Sequence, residues 1–361
     1  GKTRGLPVMN IIFTAAARNT IRRSERGVVG MIVKDVKVPA TNPTMIYKEK
    51  DIPEELSDAN KEQVKLALIG NDTAPAKIVL YVLSSNAENY ETALNYFAVK
   101  KVTWLCCPTA KTDTQTETIV TWVKDQRDER NKVKAVLPET EADNEGIINY
   151  ATASVKVGEK EYTAESFCSR IAGLLAGTSN KSSATYAILD DVTECEKKKK
   201  TELDAEIDAG KLVLYYDGEK VKVGRGVNSL QTVSKGKGNP WKKIRVVGSM
   251  DMIHDDLVLL AEDNYIGKYP NTYANKCLLI SAINSYLAEM ERNGIIEGYT
   301  IDLNVDAIKE YIIKNKGVTR DEAEAMSEAE IKKQYTDEKV FLAASATLVD
   351  VMEDINLNIT V

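Results

Sequence analysis

The chain has 361 residues, of which 43% are hydrophobic and 28% are charged, a balance typical of a globular protein with one large domain or two smaller ones. Its net charge of −6 argues against a general nucleic-acid-binding protein, and its apolar runs are too short to cross a bilayer. No charged-then-apolar leader opens the sequence, so we expect a soluble protein that is not exported.

The numbers and spacing of cysteine and histidine residues limit the disulfide, metal-binding and catalytic chemistry that the chain can carry. The five cysteines are scattered without a CxxC pair, which is typical of thiols in a reducing compartment. The one histidine, His254, excludes zinc sites with two or three histidines and excludes histidine relays. We therefore predict no metal site and no cofactor.

The chain up to about residue 248 alternates between strands and helices. The predicted strands are Gly27–Lys34, Thr44–Tyr47, Ile78–Leu83, Val102–Cys106, Val133–Leu137 and Gly146–Tyr150, and the predicted helices are Lys61–Ile69, Tyr90–Val99 and Thr116–Asp128. Strand–helix repetition with helices of this length predicts a parallel sheet with helical crossovers.

Two hairpins and a helix rich in small residues complete this first part. Val155–Tyr162 and Leu212–Val223 each turn at a glycine, which is the pattern of a hairpin. Phe167–Ala176 is a predicted helix whose small residues, Gly173 among them, are expected to bring it close to the sheet. Ile244–Val247 reads as one more strand.

Composition changes near Met250, and we place a domain boundary near residue 248. The second part has predicted helices at Met252–Tyr265, Tyr273–Arg292, Asp306–Asn315 and Ser327–Lys333, predicted strands at Ile295–Leu303 and Val340–Val349, and a charged connection at Thr319–Ala325. This order predicts an α+β domain.

The two ends of the sequence carry apolar strand patterns. The last residues alternate strictly, with Ile355, Leu357, Ile359 and Val361 on one side and polar residues on the other. Leu6–Phe13 is a short apolar run with no helix cap or turn beside it. Such strands pair either within their own subunit or with neighbouring copies, and the pattern alone leaves both open.

Several residues carry possible chemistry, each with a plainer structural interpretation. Cys106 and Cys107 end a predicted parallel strand, where α/β proteins bind ligands, but no basic partner is identifiable and buried structural thiols are favoured. Gly224–Gly226 lacks the third glycine of a phosphate-binding loop, so a structural turn is favoured.

The acidic pairs Asp190–Asp191 and Asp255–Asp256 lack the spacing of a cation-binding loop. The second pair is predicted at a helix start, where carboxylates favour the helix dipole. His254 is interpreted as a polar helix residue, and Lys197–Lys200 as a solvated charged turn. No catalytic set emerges, so we predict that the protein is not an enzyme.

Several longer sequence segments, which together span nearly the whole chain, resemble those of a known family. They are residues 145–192, residues 242–291, GRGVNSLQTV at 224–233, the opening GLPVMNIIF and the closing VMEDINLNITV. In this order and spacing they resemble the sheath proteins of contractile phage tails and R-type bacteriocins, particularly the compact sheaths of Gram-positive prophages.

The resemblance implies an α/β plus α+β fold. A parallel-sheet middle domain, called subtilisin-like for its architecture and not for protease activity, would occupy residues 27–248 and be followed by an α+β domain at 249–349. Residues 1–26 would form an N-terminal arm and linker, and residues 350–361 a C-terminal arm.

The resemblance also implies how the subunits connect. Family sheaths stack helically around an inner tail tube and exchange terminal strands with neighbouring copies. The exchanged residues here would be Leu6, Val8, Ile11, Ile12 and Phe13 in the N-terminal arm and Ile355, Leu357, Ile359 and Val361 in the C-terminal arm. The polar stretch 14–26, about 40 Å long if extended, and Asp350–Asp354 would serve as hinges.

The implied partners are copies of the chain itself, the inner tail tube protein, the baseplate and the tail terminator, with no nucleic acid and no direct membrane contact. Candidate tube-facing residues are Asp255, Asp256, Glu262 and Lys268. Assembly would take place in the host cytoplasm, and the product would be a virion tail or a released bacteriocin particle. The alternatives are a sheath component of a type VI-like injection system and a small-ligand-binding α/β enzyme that uses the Cys106 strand end.

Overall fold

The computed structural model describes residues 27–360 together with Leu6 and Met9. The described residues divide into two compact units. Residues 27–247 and 351–360 belong to one, here called the α/β unit, and residues 248–350 to the other, here called the α+β unit. The last ten described residues therefore belong to the same unit as the first part of the chain.

The strands and helices follow the predicted alternation closely. The strands are β1 (Val28–Asp35), β2 (Thr44–Ile46), β3 (Lys77–Ser84), β4 (Trp104–Cys106), β5 (Lys134–Pro138), β6 (Ile147–Tyr150), β7 (Ser154–Val157), β8 (Lys160–Thr163), β9 (Glu194–Cys195), β10 (Lys211–Leu212), β11 (Leu214–Tyr216), β12 (Val221–Val223), β13 (Ile296–Leu303) and β14 (Leu342–Leu348). The helices are α1 (Asp58–Ile69), α2 (Glu91–Val99), α3 (Thr116–Glu129), α4 (Ala164–Ala176), α5 (Lys200–Asp208), α6 (Ile244–Asn264), α7 (Tyr273–Arg292), α8 (Val305–Asn315), α9 (Arg320–Ala325) and α10 (Glu328–Lys332).

A seven-stranded sheet in the order β10-β6-β5-β4-β1-β3-β2 organises the α/β unit. Its neighbouring strands pair in parallel, except that β2 runs antiparallel to β3 at one edge. The prediction of a parallel sheet with helical crossovers is confirmed. Both predicted hairpins are also present, as β7–β8 and β11–β12.

Two apolar cores cover the two faces of this sheet. Val29, Met31 and Val33 of β1 pack with residues of α1 and α4, whereas the alternate residues Val28 and Ile32 pack with residues of α2 and α3. This division follows from the two-residue period of a strand, because successive side chains point to opposite faces. A strand buried on both faces must be apolar throughout, as β1 is.

Gly173 of α4 serves a helix–helix contact and not the helix–sheet contact expected from the sequence. A Cβ atom at this position would lie 2.0 Å from the backbone oxygen of Ala67 in α1. The missing side chain therefore lets the two helices on this face approach each other closely.

The α+β unit has its own small core beneath β13 and β14. Leu303 at the end of β13 packs with Ile308 and Ile312 of α8, Ala323 of α9 and Ile331 of α10. The segment Thr319–Ala325, predicted as a charged connection, contains helix α9. Thr319 caps it by accepting a hydrogen bond from the Glu322 amide.

The predicted strand Ile244–Val247 is wrong, because these residues form the first turn of α6. Their β-branched side chains suggested a strand, but the helix runs on without a break to Asn264 and buries Ile244, Val246 and Val247. Tertiary burial outweighs the weak strand preference of this short run.

Candidate functional site

The edge of the main sheet where α/β proteins usually bind ligands consists of groups that pair with each other. Asp113 accepts hydrogen bonds from the Thr109 hydroxyl at 2.7 Å and from the Tyr90 hydroxyl, and Lys34 Nζ lies 3.7 Å from it. Asp35 accepts from the Ser57 amide at 2.8 Å, at the start of α1. These polar groups hold the ends of strands and helices in place.

The cysteines at this edge are buried. Cys106 and Cys107 are at most 2% exposed, and burial raises the pKa of the Cys106 thiol to about 12. Such a thiol stays protonated at neutral pH and is a poor nucleophile. The structure agrees with the structural interpretation of both residues.

Between residues 27 and 360, no cluster of histidine, cysteine, aspartate and glutamate side chains has the arrangement needed to hold a metal ion. Among the helices of that same range, none is both long and apolar enough to span a membrane.

The acidic pair of α6 is not at a helix start. The helix begins at Ile244, so Asp255 and Asp256 lie in its middle, and the predicted dipole interaction is wrong. Asp256 is 4% exposed and accepts a hydrogen bond of 2.6 Å from the Tyr286 hydroxyl of α7. Asp256 therefore stabilises helix packing and is not available as a tube-facing residue, while Asp255 stays partly exposed beside His254.

The other two candidate tube-facing residues lie on the surface close together. Glu262 and Lys268 are exposed, and Lys268 Nζ donates to the Glu262 carbonyl oxygen at 3.1 Å. Tyr265 and Tyr269 stack nearby with 5.4 Å between their ring centroids. The end of α6 and the connection after it form a polar and aromatic surface.

The C-terminal arm has exposed apolar side chains and no strand partner within the described chain. Residues 349–360 contain no helix or strand. Ile355, Leu357 and Ile359 are 79%, 76% and 75% exposed. The predicted strand is thus not formed here, because backbone groups of an extended segment need a neighbouring strand to pair with.

The predicted N-terminal arm falls largely beyond the part of the chain that the structure describes. Val8, Ile11, Ile12 and Phe13 lie outside the described residues. Leu6, the described member of the set, is 88% exposed.

The acidic stretch that precedes the C-terminal arm is anchored to the α/β unit. The Glu353 carboxylate is 8% exposed and accepts hydrogen bonds from the Thr185 hydroxyl at 2.9 Å, Arg225 Nη1 at 2.8 Å and Lys243 Nζ. Asp354 pairs with the same guanidinium, at 3.0 Å from Arg225 Nη2. The predicted hinge Asp350–Asp354 therefore ends in two residues whose carboxylates are held by side chains of the α/β unit.

The sequence pattern did not reveal this anchor. Arg225 lies between the glycines of the rejected phosphate loop, 128 residues from Glu353. A lone acidic residue in a charged stretch gives no local signal of burial, and its partner is identified only once the chain is folded.

The sheet formed by β13 and β14 has open edges. Within the described residues each of these strands pairs with the other alone, in antiparallel register. One face carries Tyr299, Ile301 and Leu303 of β13 and Ala344, Ala346 and Leu348 of β14. The opposite face is polar at its centre, where the hydroxyls of Thr300 and Ser345 lie 2.5 Å apart.

Comparisons with known proteins point to one family. A family model described as the phage tail sheath protein central domain matches residues 84–229, and one described as the phage tail sheath C-terminal domain matches residues 236–361. The chain is 37% identical over 367 residues to a curated tail sheath protein of Clostridium phage phiCD119, an alignment that covers 98% of the chain and 99% of that relative.

Solved structures share the fold. The sheath tail protein of Desulfitobacterium hafniense superposes with a TM-score of 0.69 at 18% identity, over 83% of this chain and 94% of that chain. The helical sheath protein of the anti-feeding prophage in its contracted state gives a TM-score of 0.67 at 16% identity, over 99% of both chains.

Proposed function

The chain belongs to the phage tail sheath family and is a sheath subunit of a contractile tail or injection system, and from this premise we propose that its two ends bind it to neighbouring copies. The subunits polymerise helically around an inner tail tube. The sheath then contracts and drives the tube through the envelope of a target cell.

The exposed C-terminal arm is the observation that carries this proposal. Three large aliphatic side chains, Ile355, Leu357 and Ile359, are about three-quarters exposed and alternate with polar residues. A monomer gains nothing from such a pattern, whereas a strand donor needs it: backbone groups pair with the acceptor edge and alternate side chains set the register.

The β13–β14 sheet has the matching acceptor features. Its open edges offer unpaired backbone groups, and its two faces differ in polarity as the two sides of the arm do. An arm added from another copy would place Leu357 and its apolar neighbours on the face of Ile301 and Ala344. The asparagines at positions 356 and 358 would lie on the face of Thr300 and Ser345.

Backbone hydrogen bonds and the burial of aliphatic side chains both favour the link between copies. Each backbone hydrogen bond contributes about 0.5–1.5 kcal/mol net, and burying each aliphatic side chain contributes at most about 1.5–3 kcal/mol. Part of this gain offsets the entropy lost when the arm becomes ordered. Because the link joins the arm of one copy to the sheet of another, it propagates as a lattice and does not close as a dimer.

The N-terminal arm makes the second link in this proposal. Leu6, Val8, Ile11, Ile12 and Phe13 supply an apolar strand, and the polar stretch 14–26 gives it a long reach. With two arms for each copy, every subunit connects to more than one neighbour, so the sheath stays linked while its bodies move.

Contraction draws on the packing of the subunits. Bodies joined by strands rotate and slide into a lattice of lower free energy, and the difference moves the tube without nucleotide hydrolysis. The protein acts as a structural component and not as an enzyme. Asp255, Glu262 and Lys268 are the proposed tube-facing residues, and the baseplate and the tail terminator bind the two ends of the sheath.

The sheath assembles in the host cytoplasm and leaves as part of a virion tail or a bacteriocin particle. The alternative of a type VI-like sheath is not favoured by the family matches. Such sheaths commonly need a second, different subunit. Polymerisation of the purified chain by itself would favour the tail sheath.

Truncation of the C-terminal arm tests the proposal. Deleting residues 355–361 is expected to leave a folded monomer that forms no polymer, as judged by sedimentation and by negative-stain electron microscopy. The full chain at the same concentration should give striated tubes. Polymerisation of the truncated chain would overturn the strand-donor role, and unchanged circular dichroism would exclude misfolding as the cause.

A further inference from the structure

We propose that Arg225, Lys243 and Thr185 form a socket that fixes Glu353 and Asp354, so that the C-terminal arm leaves the α/β unit at a set point and only residues 355–361 swing. The socket determines where the donated strand begins. This inference rests on the proposed strand-donor function and adds to it the residues that position the strand.

The contacts are those of a built site. The Glu353 side chain is 8% exposed and receives three donors on its two carboxylate oxygens, one of them a hydroxyl and two of them cationic. Arg225 spans both acidic residues, with Nη1 on Glu353 and Nη1 and Nη2 on Asp354. Two positive side chains therefore face these two carboxylates.

The backbone around the socket is cross-linked, so its donors are preorganised. The Gly226 amide donates to the Thr185 hydroxyl oxygen at 2.9 Å, and this hydroxyl in turn donates to Glu353. The Ile244 amide donates to the Gly226 carbonyl oxygen at 3.0 Å. These bonds tie together the three segments that carry Thr185, Arg225 and Lys243.

The exposure pattern changes abruptly at the socket. Met352 before it is 90% exposed, and Ile355 after it is 79% exposed, whereas the Glu353 carboxylate between them is buried. A segment that merely rested on the surface would not bury one carboxylate between two exposed apolar residues. Glu353 is therefore the buried anchor, Asp354 is an exposed second contact of Arg225, and the pivot lies at residue 355.

A fixed pivot limits how far the arm can reach. Residues 355–361 match the length of β14 (7 residues) and span about 25 Å when fully extended. The acceptor edge on the neighbouring copy must start within that distance of the socket in every state of the sheath. If Glu353 and Asp354 were released from the socket, the mobile segment would be longer. The acceptor edge could then lie farther from the socket.

Spin labelling measures the anchor directly. A nitroxide is attached at Met352→Cys, an exposed position directly before the socket, in a Cys277→Ser background, because the other four cysteines are buried. In the soluble full-length protein we expect a slow-motion spectrum. Arg225→Ala and Glu353→Gln should each convert most of the label to fast motion, with far-UV circular dichroism unchanged.

A matched control removes an arginine ion pair elsewhere. Arg320 pairs with Glu310 at 3.1 Å on the surface of the α+β unit, and Arg320→Ala should leave the label slow. Should Arg225→Ala not fold, Glu353→Gln keeps the shape of the side chain and tests the same contacts. Identical spectra in the parent and in the folded socket variants would overturn the proposal.

Polymerisation measurements distinguish a failure of the socket proposal from a failure of the proposed strand-donor function. If deletion of residues 355–361 leaves polymerisation intact, the strand-donor function fails whatever the label reports. If that deletion abolishes polymer while Glu353→Gln leaves both the label mobility and the pelletable fraction unchanged, the socket fails alone. We expect Glu353→Gln to lower the pelletable fraction several-fold at equal protein concentration.

Discussion

Gly173 and Gly248 both lie inside helices, and their surroundings predict opposite effects of the same substitution. A Cβ at Gly173 would meet the Ala67 backbone at 2.0 Å, whereas one at Gly248 meets no atom of the described residues within 4 Å. Gly173→Ala should therefore lower the free energy of unfolding by about 1–3 kcal/mol, because α1 and α4 must move apart. Gly248→Ala should raise it by about 0.5–1 kcal/mol.

Urea unfolding of the soluble full-length protein measures both changes. The pair controls for the chemistry of the substitution, since only the space around the two glycines differs. Equal effects would mean that the close approach of α1 and α4 is not what Gly173 provides.

Asp35 makes stability depend on pH through its hydrogen bonds. Burial tends to raise its pKa, but bonds from the Ser57 amide and from Asn60 outweigh that effect and hold the pKa below the ordinary 3.8. A lowered folded-state pKa stabilises the fold above pH 3.8, and this stabilisation is lost as the pH falls through the folded-state value. Asp35→Asn should cost about 1–2 kcal/mol at pH 7 and progressively less below pH 4.

The control for Asp35 is Asp204→Asn, which alters an exposed carboxylate paired with Lys200 on one helix face. Its effect at pH 7 should be within about 0.5 kcal/mol. A cost at Asp35 that is the same at pH 3 and pH 7 would contradict the role of its charge.

Among the structural elements, the C-terminal arm has an apolar side and a polar side, and we predict that these two sides differ in function. Leu357→Lys places a charge on the apolar side and should abolish polymer formation, because the lysine would face the apolar side of β13–β14. Asn358→Lys changes the adjacent, polar side and should leave polymer formation intact. Both positions are exposed in the single chain, so neither variant should change its melting temperature by more than about 2 °C.

Sedimentation and electron microscopy at matched concentrations compare these two variants. Loss of polymer in both would point to a general effect of charge. If both variants form polymer, the alternation of apolar and polar side chains in the arm is not what drives assembly.

The sequence predicted elements with strong periodicity and missed contacts that depend on distant residues. The strand–helix alternation to residue 150 and the two hairpins follow from local patterns, and they are confirmed. Ile244–Val247 was wrong because four residues are too few to distinguish a strand from a helix turn. The contacts of Glu353 were missed because its partners lie far away along the chain.

For the whole molecule, we predict that nucleotides do not bind to the α/β unit and do not change the melting temperature. Asp35 and Asp113 at the strand ends are occupied by internal hydrogen bonds, and the adjacent cysteines are buried. Thermal-shift measurements with millimolar ATP, GTP or NAD should therefore leave the melting temperature unchanged within about 1 °C. A rise that grows with ligand concentration would support the small-ligand-binding alternative, because binding stabilises the folded state by mass action.

Cryo-electron microscopy of the assembled polymer tests the central claim most directly. We predict that residues 355–361 form a strand hydrogen-bonded to an edge of β13–β14 in a neighbouring copy, with Glu353 still bound by Arg225 of its own copy. A map in which residues 355–361 pair within their own subunit would contradict the account.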